Sequence, residues 1–250
     1  MDGEKLVDTV DRFCEEVISP KIKERCQELC DYLNCYEQRM FWEREVISNR
    51  GIFVGKKKYV MSVLDSEGTR YKDEPKFKII GMESVKSSTP EWARGLLKEC
   101  YKIALKYDEE ALQDKVVSIR SEFDKMSVND IAMPKGINGI EKYTTSSGYA
   151  KGTPKHVKGA IIHNRLLKQM NITRIQPIES GSKIKYVELK MPNPTGEEVI
   201  AFDTYFPKEF DLEKYVNRDM MYEKSFLQPL RIFLDAIGWS DEKKIDLFSF

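Results

Sequence analysis

The period of the apolar residues changes twice along this chain, and each change restricts what it can fold into. Leu6, Val10, Phe13 and Val17, then Ile22, Cys26, Leu29 and Leu33, recur at three- and four-residue steps, the spacing of one helix face. The pattern predicts a helix from about Lys5 to Leu33, bent at Pro20, whose ring removes a backbone donor. Alternating runs follow at Gln38 to Ser48, Ile52 to Leu64 and Lys76 to Ile80, separated by turn signals at Asn49-Arg50-Gly51 and Asp65-Ser66-Glu67-Gly68. The helix has only those strands to lay its stripe on.

Beyond Lys86 the helical period returns. Thr89 reads as an N-cap with Pro90 at the first helical position, where a missing N–H costs nothing. Trp92, Leu96, Cys100, Ile103 and Tyr107 mark one apolar face, and Leu112, Val116, Ile119, Phe123 and Met126 mark a second. The two predict an antiparallel helical hairpin. Met133 to Gly152 reads as loop, His156 to Met170 as a third helix, and Lys183 to Lys190 as a strand that Val199 to Ala201 can pair with. A last helix is expected from about Arg218 to Ala236, interrupted near Pro229. The fold class is α+β, antiparallel strands plus a helix first and a mainly helical region after.

With 250 residues, 41% of them hydrophobic, the chain can bury one large or two modest cores. The 41 basic and 41 acidic residues cancel, so net charge makes no case for nucleic acid. Their distribution does. From Tyr143 to Ile178 there is no acidic residue, while Lys151, Lys155, Lys158, Arg165, Lys168 and Arg174 fall there with His156 and His163. Cys14, Cys26, Cys30, Cys35 and Cys100 are odd in number, three of them on the apolar side of the first helix, and read as reduced core thiols. Their spacing lacks the paired pattern of a zinc site. No apolar run is long enough to span a membrane, and Met-Asp-Gly-Glu-Lys opens no signal peptide.

Several clusters can carry chemistry. Glu43 and Glu45, two apart on an expected strand, put carboxylates on one face roughly 7 Å apart; they are either a solvated edge or neighbours of a magnesium ion. Lys56, Lys57, Lys58 and Tyr59 set ammonium groups on both faces of a strand, as an aggregation-resistant edge or as a grip on duplex DNA. Lys78 and Gly81 to Pro90 bring Lys86, Ser87, Ser88 and Thr89 to a helix start, which suits capping or a phosphate. Lys155, His156, Lys158, His163, Asn164 and Arg165 ring one helix, where phosphate contact fits better than a paired-histidine metal site. Leu247, Phe248 and Phe250 end the chain in large apolar groups, a tail that docks on its own domain or in a partner's pocket.

Taken together, Lys-Lys-Lys-Tyr at 56 to 59, Lys-Ile-x-Gly-x-Glu-x-x-Lys-Ser-Ser-Thr-Pro at 78 to 90, Pro154 through Asn164-Arg165, and Asp-Leu-Phe-Ser-Phe at 246 to 250 resemble the C-terminal part of family B replicative DNA polymerases of the T-even-like bacteriophages. The resemblance covers essentially the whole chain. It implies that residues 1–80 are the C-terminal part of the palm, 81–239 the thumb and 240–250 a tail for a sliding clamp. It implies acidic palm residues at Glu43 and Glu45 beside the metals, a primer-terminus contact at Lys56 to Tyr59 with Lys58 where the family has arginine, and DNA contacts at Lys78, Lys86, Ser87, Ser88, Thr89, Lys155, His156, Lys158, Asn164 and Arg165. Leu247, Phe248 and Phe250 would enter the clamp.

The family's Asp-Thr-Asp-Ser and Asp-x-x-Ser-Leu-Tyr-Pro-Ser motifs are absent, so no complete metal site is expected in this chain. The resemblance therefore implies one subunit of a split polymerase, inactive alone. An N-terminal polymerase subunit would bring the exonuclease, the fingers, the remaining palm and most of the Mg²⁺ ligands, in the cytoplasm of an infected bacterium. The alternative is a stand-alone DNA-binding or clamp-associated accessory protein without a catalytic role.

Overall fold

The computed structural model describes residues 3–243, and the chain divides into two compact units, Met1–Ile80 and Gly81–Phe250. In the first unit α1 (Gly3–Phe13) passes through a five-residue π turn, Cys14–Ile18, into α2 (Ser19–Tyr32). The bend expected at Pro20 is that turn. Ser19 N–H reaches back five residues to the Cys14 carbonyl, one position farther than in an α-helix.

Four strands complete this unit: β1 (Val46–Gly55), β2 (Lys58–Ser66), β3 (Thr69–Arg70) and β4 (Lys76–Ile80). All pairings are antiparallel, with β2 flanked by β1, β3 and β4. Val7, Ile47 and Leu64 form its small core with Leu6 and Val10 against them. Asp65, 1% exposed, receives the Arg44 guanidinium and the Gly68 N–H at 3.0 Å. Arg44 also holds Asp11 at 2.7 Å, so paired charges tie α1 to the sheet where apolar surface is short.

Two strand boundaries differ from expectation. Residues 36–45 form no strand, because the Gln38 side chain bonds both the N–H and the C=O of Met40, at 2.8 and 2.7 Å, and so competes with a ladder. The predicted turn at Asn49-Arg50-Gly51 is the middle of β1, where Gly51 pairs with Met61. The turn at Glu67-Gly68 forms as expected, both residues with positive φ.

The second unit opens with the 3₁₀ turn Glu83–Val85 and α3 (Glu91–Lys106), whose N-cap is Pro90 with no side-chain cap. Thr89 is buried instead, its N–H bonded to the Lys86 carbonyl at 3.2 Å. The Asp108 side chain caps α4 (Glu109–Phe123) at the Ala111 N–H, and α3 packs with α4. Ser127 caps the short α5 (Val128–Ile131). The span read as loop contains β5 (Met133–Gly136) and the small hairpin β6 (Thr144–Thr145) and β7 (Gly148–Tyr149). Pro134 fits there because β5 is an edge strand.

Next come α6 (Lys155–Gln169), β8 (Lys183–Glu188) and β9 (Val199–Phe202). The sheet order is β5-β8-β9, all antiparallel. Helix α6 lies on β9 so closely that a Cβ on Gly159 would stand 2.9 Å from the Ala201 nitrogen. The last helix is α7 (Arg218–Tyr222), a second π turn at Glu223–Leu227 and α8 (Gln228–Asp235). Trp92, Phe123, Tyr222 and Phe226 stack around one centre, with ring centroids 4.9 to 6.3 Å apart, and Tyr101 meets Phe233 at 4.4 Å.

Of the five cysteines only Cys30 and Cys100 are buried; Cys14 and Cys26 are half-buried and Cys35 is exposed. The expected set of core thiols is thus corrected: α2 buries only Cys30, and Cys35 lies past its end. Among the described residues no helix is long and apolar enough to cross a membrane.

Candidate nucleic-acid interface

The two-residue connection of β1 to β2 places Lys56 and Lys57 in a hairpin turn rather than on a strand, between Gly55 and Lys58. Both are exposed, and Lys58 and Tyr59 are half-buried. Lys57 has φ 58°, a left-handed conformation that costs a non-glycine residue about 1 kcal/mol. Strain of this kind gathers at functional sites. Tyr59 rests against Phe53, ring centroids 5.6 Å apart, and pairs with Ile80 of β4. The tip is a cationic point on a stiff, aromatic-backed ribbon.

Glu43 and Glu45 lie on the irregular segment before β1 and are exposed. The alternation that would have set them on one strand face is therefore lost. Arg44 between them is turned inward to Asp11 and Asp65, which leaves its neighbours outward. Glu45 accepts from Lys78 Nζ at 3.0 Å, and that bond raises the lysine's pKa against the opposing effect of burial. Among the described residues no group of three or more His, Cys, Asp or Glu gathers as a metal would need.

In the second unit Lys86 Nζ meets Glu83 at 2.5 Å, while Ser87 is exposed and Ser88 half-buried. Ser87 and Thr89 line a cavity of about 510 Å³ with Trp92, Arg94, Met126 and Lys185. Trp92 Nε1 and Arg94 Nε are buried there without an acceptor. Unpaired buried donors are costly and call for an acceptor from outside. Arg94 was not singled out from sequence, because its spacing places it on a polar helix face like any other.

Lys155, Lys158 and Arg165 of the basic cluster on α6 are ion-paired. Lys155 contacts Glu188 at 2.9 Å, and Lys224 contacts the same carboxylate at 2.5 Å. Lys158 and Arg165 both hold Glu197, at 3.2 and 3.0 Å, and the Tyr149 hydroxyl donates to it at 2.9 Å. Glu188 and Glu197 are 4% and 8% exposed. Burial alone would raise the Glu197 pKa, but the three hydrogen bonds outweigh it and hold the group below its ordinary value. Acidic residues distant in sequence thus neutralise much of the run that lacks them. Asn164 fixes Ile178 by two bonds of 2.8 Å. Lys151 and Lys168 remain exposed.

The two histidines differ in burial. His156 is half-buried, its pKa lowered by burial and by Lys135. His163 is 1% exposed, its Nδ1 is 2.9 Å from the Ala201 carbonyl, and burial lowers its pKa. Leu247, Phe248 and Phe250 lie outside the described residues. The chain leading to them is anchored: Gln113 donates to the Ser240 and Glu242 carbonyls at 3.1 and 3.0 Å, and Arg231 pairs with Asp241 at 2.9 Å.

No protein-family model matches the chain. The chain is homologous over nearly its whole length to the DNA-directed DNA polymerases of two phages. It is 35% identical to that of Escherichia phage RB69 over 260 residues, 99% of this chain and 28% of that protein. It is 31% identical to that of Enterobacteria phage T4 over 254 residues, 97% of this chain and 28% of the relative. A DNA polymerase of Desulfurococcus sp. (strain Tok) is 26% identical over 224 residues, 88% of this chain and 26% of that protein. The chain spans little more than a quarter of the length of the relatives it matches.

Proposed function

From homology with a segment of phage DNA-directed DNA polymerases, we propose that this chain grips primer-template DNA and completes the palm for DNA-directed nucleotidyl transfer. The observation that carries the reading is the 35% identity sustained across 99% of the chain. The first unit is then the C-terminal part of the palm and the second the thumb. The catalytic aspartates, fingers and exonuclease belong to the rest of the polymerase, which we assign to a partner chain in the cytoplasm of the infected host.

The roles assigned to each unit are these. Lys56, Lys57, Lys58 and Tyr59 form a rigid cationic tip for a primer terminus, where small displacements of the reacting hydroxyl cost rate. Lys86, Ser87, Ser88 and Thr89, with Arg94, face a backbone phosphate, and Lys78, His156 and the ion-paired Lys155, Lys158 and Arg165 shape the surfaces beside the duplex. Such contacts give affinity without sequence preference. Magnesium, when bound, supplies Lewis-acid stabilisation of in-line phosphoryl transfer. Of this chain's residues Glu43 and Glu45 would neighbour it, Glu45 being paired with Lys78. Leu247, Phe248 and Phe250 serve as anchors for a sliding clamp.

The test is reconstitution. The purified chain alone binds primer-template in a salt-dependent way and incorporates no nucleotide; addition of the rest of the polymerase restores incorporation. Incorporation by this chain alone would overturn the reading, and DNA binding that no polymerase partner converts to synthesis would favour an accessory protein. Removing residues 247–250 should shorten clamp-stimulated products and leave short-primer extension unchanged.

A further inference from the structure

Helix α2 ends in a chain reversal that brings two cysteines together. Asn34 takes φ 51°, the Cys35 N–H bonds the Cys30 carbonyl at 2.9 Å, and the Asn34 N–H bonds the Asp31 carbonyl at 3.1 Å. This six-to-one closure with a left-handed residue is a Schellman motif, in which the side chains at its two ends touch as a rule. Here both ends are thiols. Cys30 Sγ lies 3.9 Å from the Cys35 carbonyl oxygen, so the reversal sets the two cysteines side by side. Cys30 is 4% exposed and Cys35 is open to solvent.

We propose that Cys30 and Cys35 are a redox pair that closes to an intramolecular disulfide when the chain meets a peroxide. The division of labour follows from exposure. The Cys35 thiolate attacks one peroxide oxygen; an S–O bond forms, the O–O bond breaks, and the leaving hydroxide takes up the proton that the Cys35 thiol released and departs as water, which gives a sulfenic acid. The Cys30 sulfur then attacks the Cys35 sulfur; the S–S bond forms, the S–O bond breaks, and the hydroxide takes the Cys30 proton as a second water. Two thiols and one hydrogen peroxide give one disulfide and two waters. The low exposure of Cys30 keeps it from the oxidant and leaves it the second step, beside Cys35. Cys100, pushed up by burial to about 12, is an inert control within the same chain.

The disulfide would tie the end of α2 to the start of the irregular segment that carries Glu43 and Glu45. It would be readily reduced, because one sulfur is exposed. This inference rests on the chain's own thiols and holds whether or not the polymerase reading does.

The experiment treats the full chain with substoichiometric hydrogen peroxide and follows it by intact-mass and peptide mass spectrometry, with amide exchange over residues 36–45. The expected product is monomeric and two hydrogens lighter. Its cross-link joins Cys30 to Cys35, it reverts with dithiothreitol, and exchange in the segment is severalfold slower. Cys35→Ser, at an exposed position, should abolish the mass loss, and Cys30→Ser should leave a trappable sulfenic acid at Cys35. A Cys35-linked dimer, a cross-link elsewhere, or unchanged exchange in the oxidised monomer would each overturn the proposal.

Discussion

The first unit hides few large side chains and shows many, and the second does the reverse. In residues 3–80 the buried hydrophobics are Val7, Cys30, Ile47, Val60, Val63 and Leu64, while Phe13, Tyr32, Tyr36, Phe41 and Trp42 are more than half exposed. In the second unit Tyr101, Phe123, Phe202, Phe226 and Phe233 are all buried to below 2%. Aromatic burial dominates core energetics, so the second unit carries its own stability. The first holds α1 to its sheet by Arg44, Asp11 and Asp65 and leaves apolar surface uncovered, as a surface awaiting a partner does.

The largest test of that contrast is truncation of an aromatic in each unit. Phe226→Ala should cost the isolated chain about 3–5 kcal/mol, whereas Trp42→Ala should change its stability by no more than about 0.5 kcal/mol and instead weaken assembly with the rest of the polymerase. Chemical denaturation of the chain alone, with a binding titration beside it, reads both; equal losses of stability would erase the distinction. A smaller effect is expected of Gly159→Ala. The added methyl has no room against Ala201, and overpacking of this kind costs about 1–3 kcal/mol, seen as a lowered denaturant midpoint without a change in slope.

Acidification should separate the units further, since both histidines lie in the second. Burial lowers the His163 pKa, so its stabilising contribution is present above the unfolded value of about 6.5. It is lost as pH falls below that value towards the folded one. Melting followed by amide exchange should show the second unit softening in that window while the first does not, and His163→Gln should flatten the response. The smallest expected change is a gain. Lys57→Gly relieves the left-handed strain at the hairpin tip and should stabilise the first unit by about 1 kcal/mol while slowing primer extension in the reconstituted complex. Faster or unchanged extension would mean that the strained lysine has no part in positioning.

Helix α4 was legible because it obeys a constant period: Leu112, Val116, Ile119 and Phe123 all face inward as the spacing said. The pairing of β9 with β8 followed from alternation as well. What escaped the sequence was decided by long-range partners. Glu188 and Glu197 sit far along the chain from Lys155, Lys158 and Arg165, so a run without acidic residues read as free positive charge when folding supplies the carboxylates. Glu43 and Glu45 were given a strand because their neighbours alternate. Local bonds from Gln38, and the inward pull on Arg44, left that stretch irregular. The Lys56-Lys57 turn was missed because neither residue belongs to the usual turn chemistry.

The two π turns amount to a change of phase built into a helix. Each spends five residues on a turn in which the bond spans five positions, Ser19 to Cys14 and Gln228 to Glu223. Residues beyond it are thereby rotated against those before it by about one residue's angle, roughly 100°. Leu230, Phe233 and Leu234 are buried because of that offset as much as because they are apolar. Loss of a single residue between Glu223 and Leu227 would bring the helix back to a uniform pitch, swing those three side chains away from the core and set the Pro229 ring against a carbonyl. Length, at these two places, is as strictly specified as residue type.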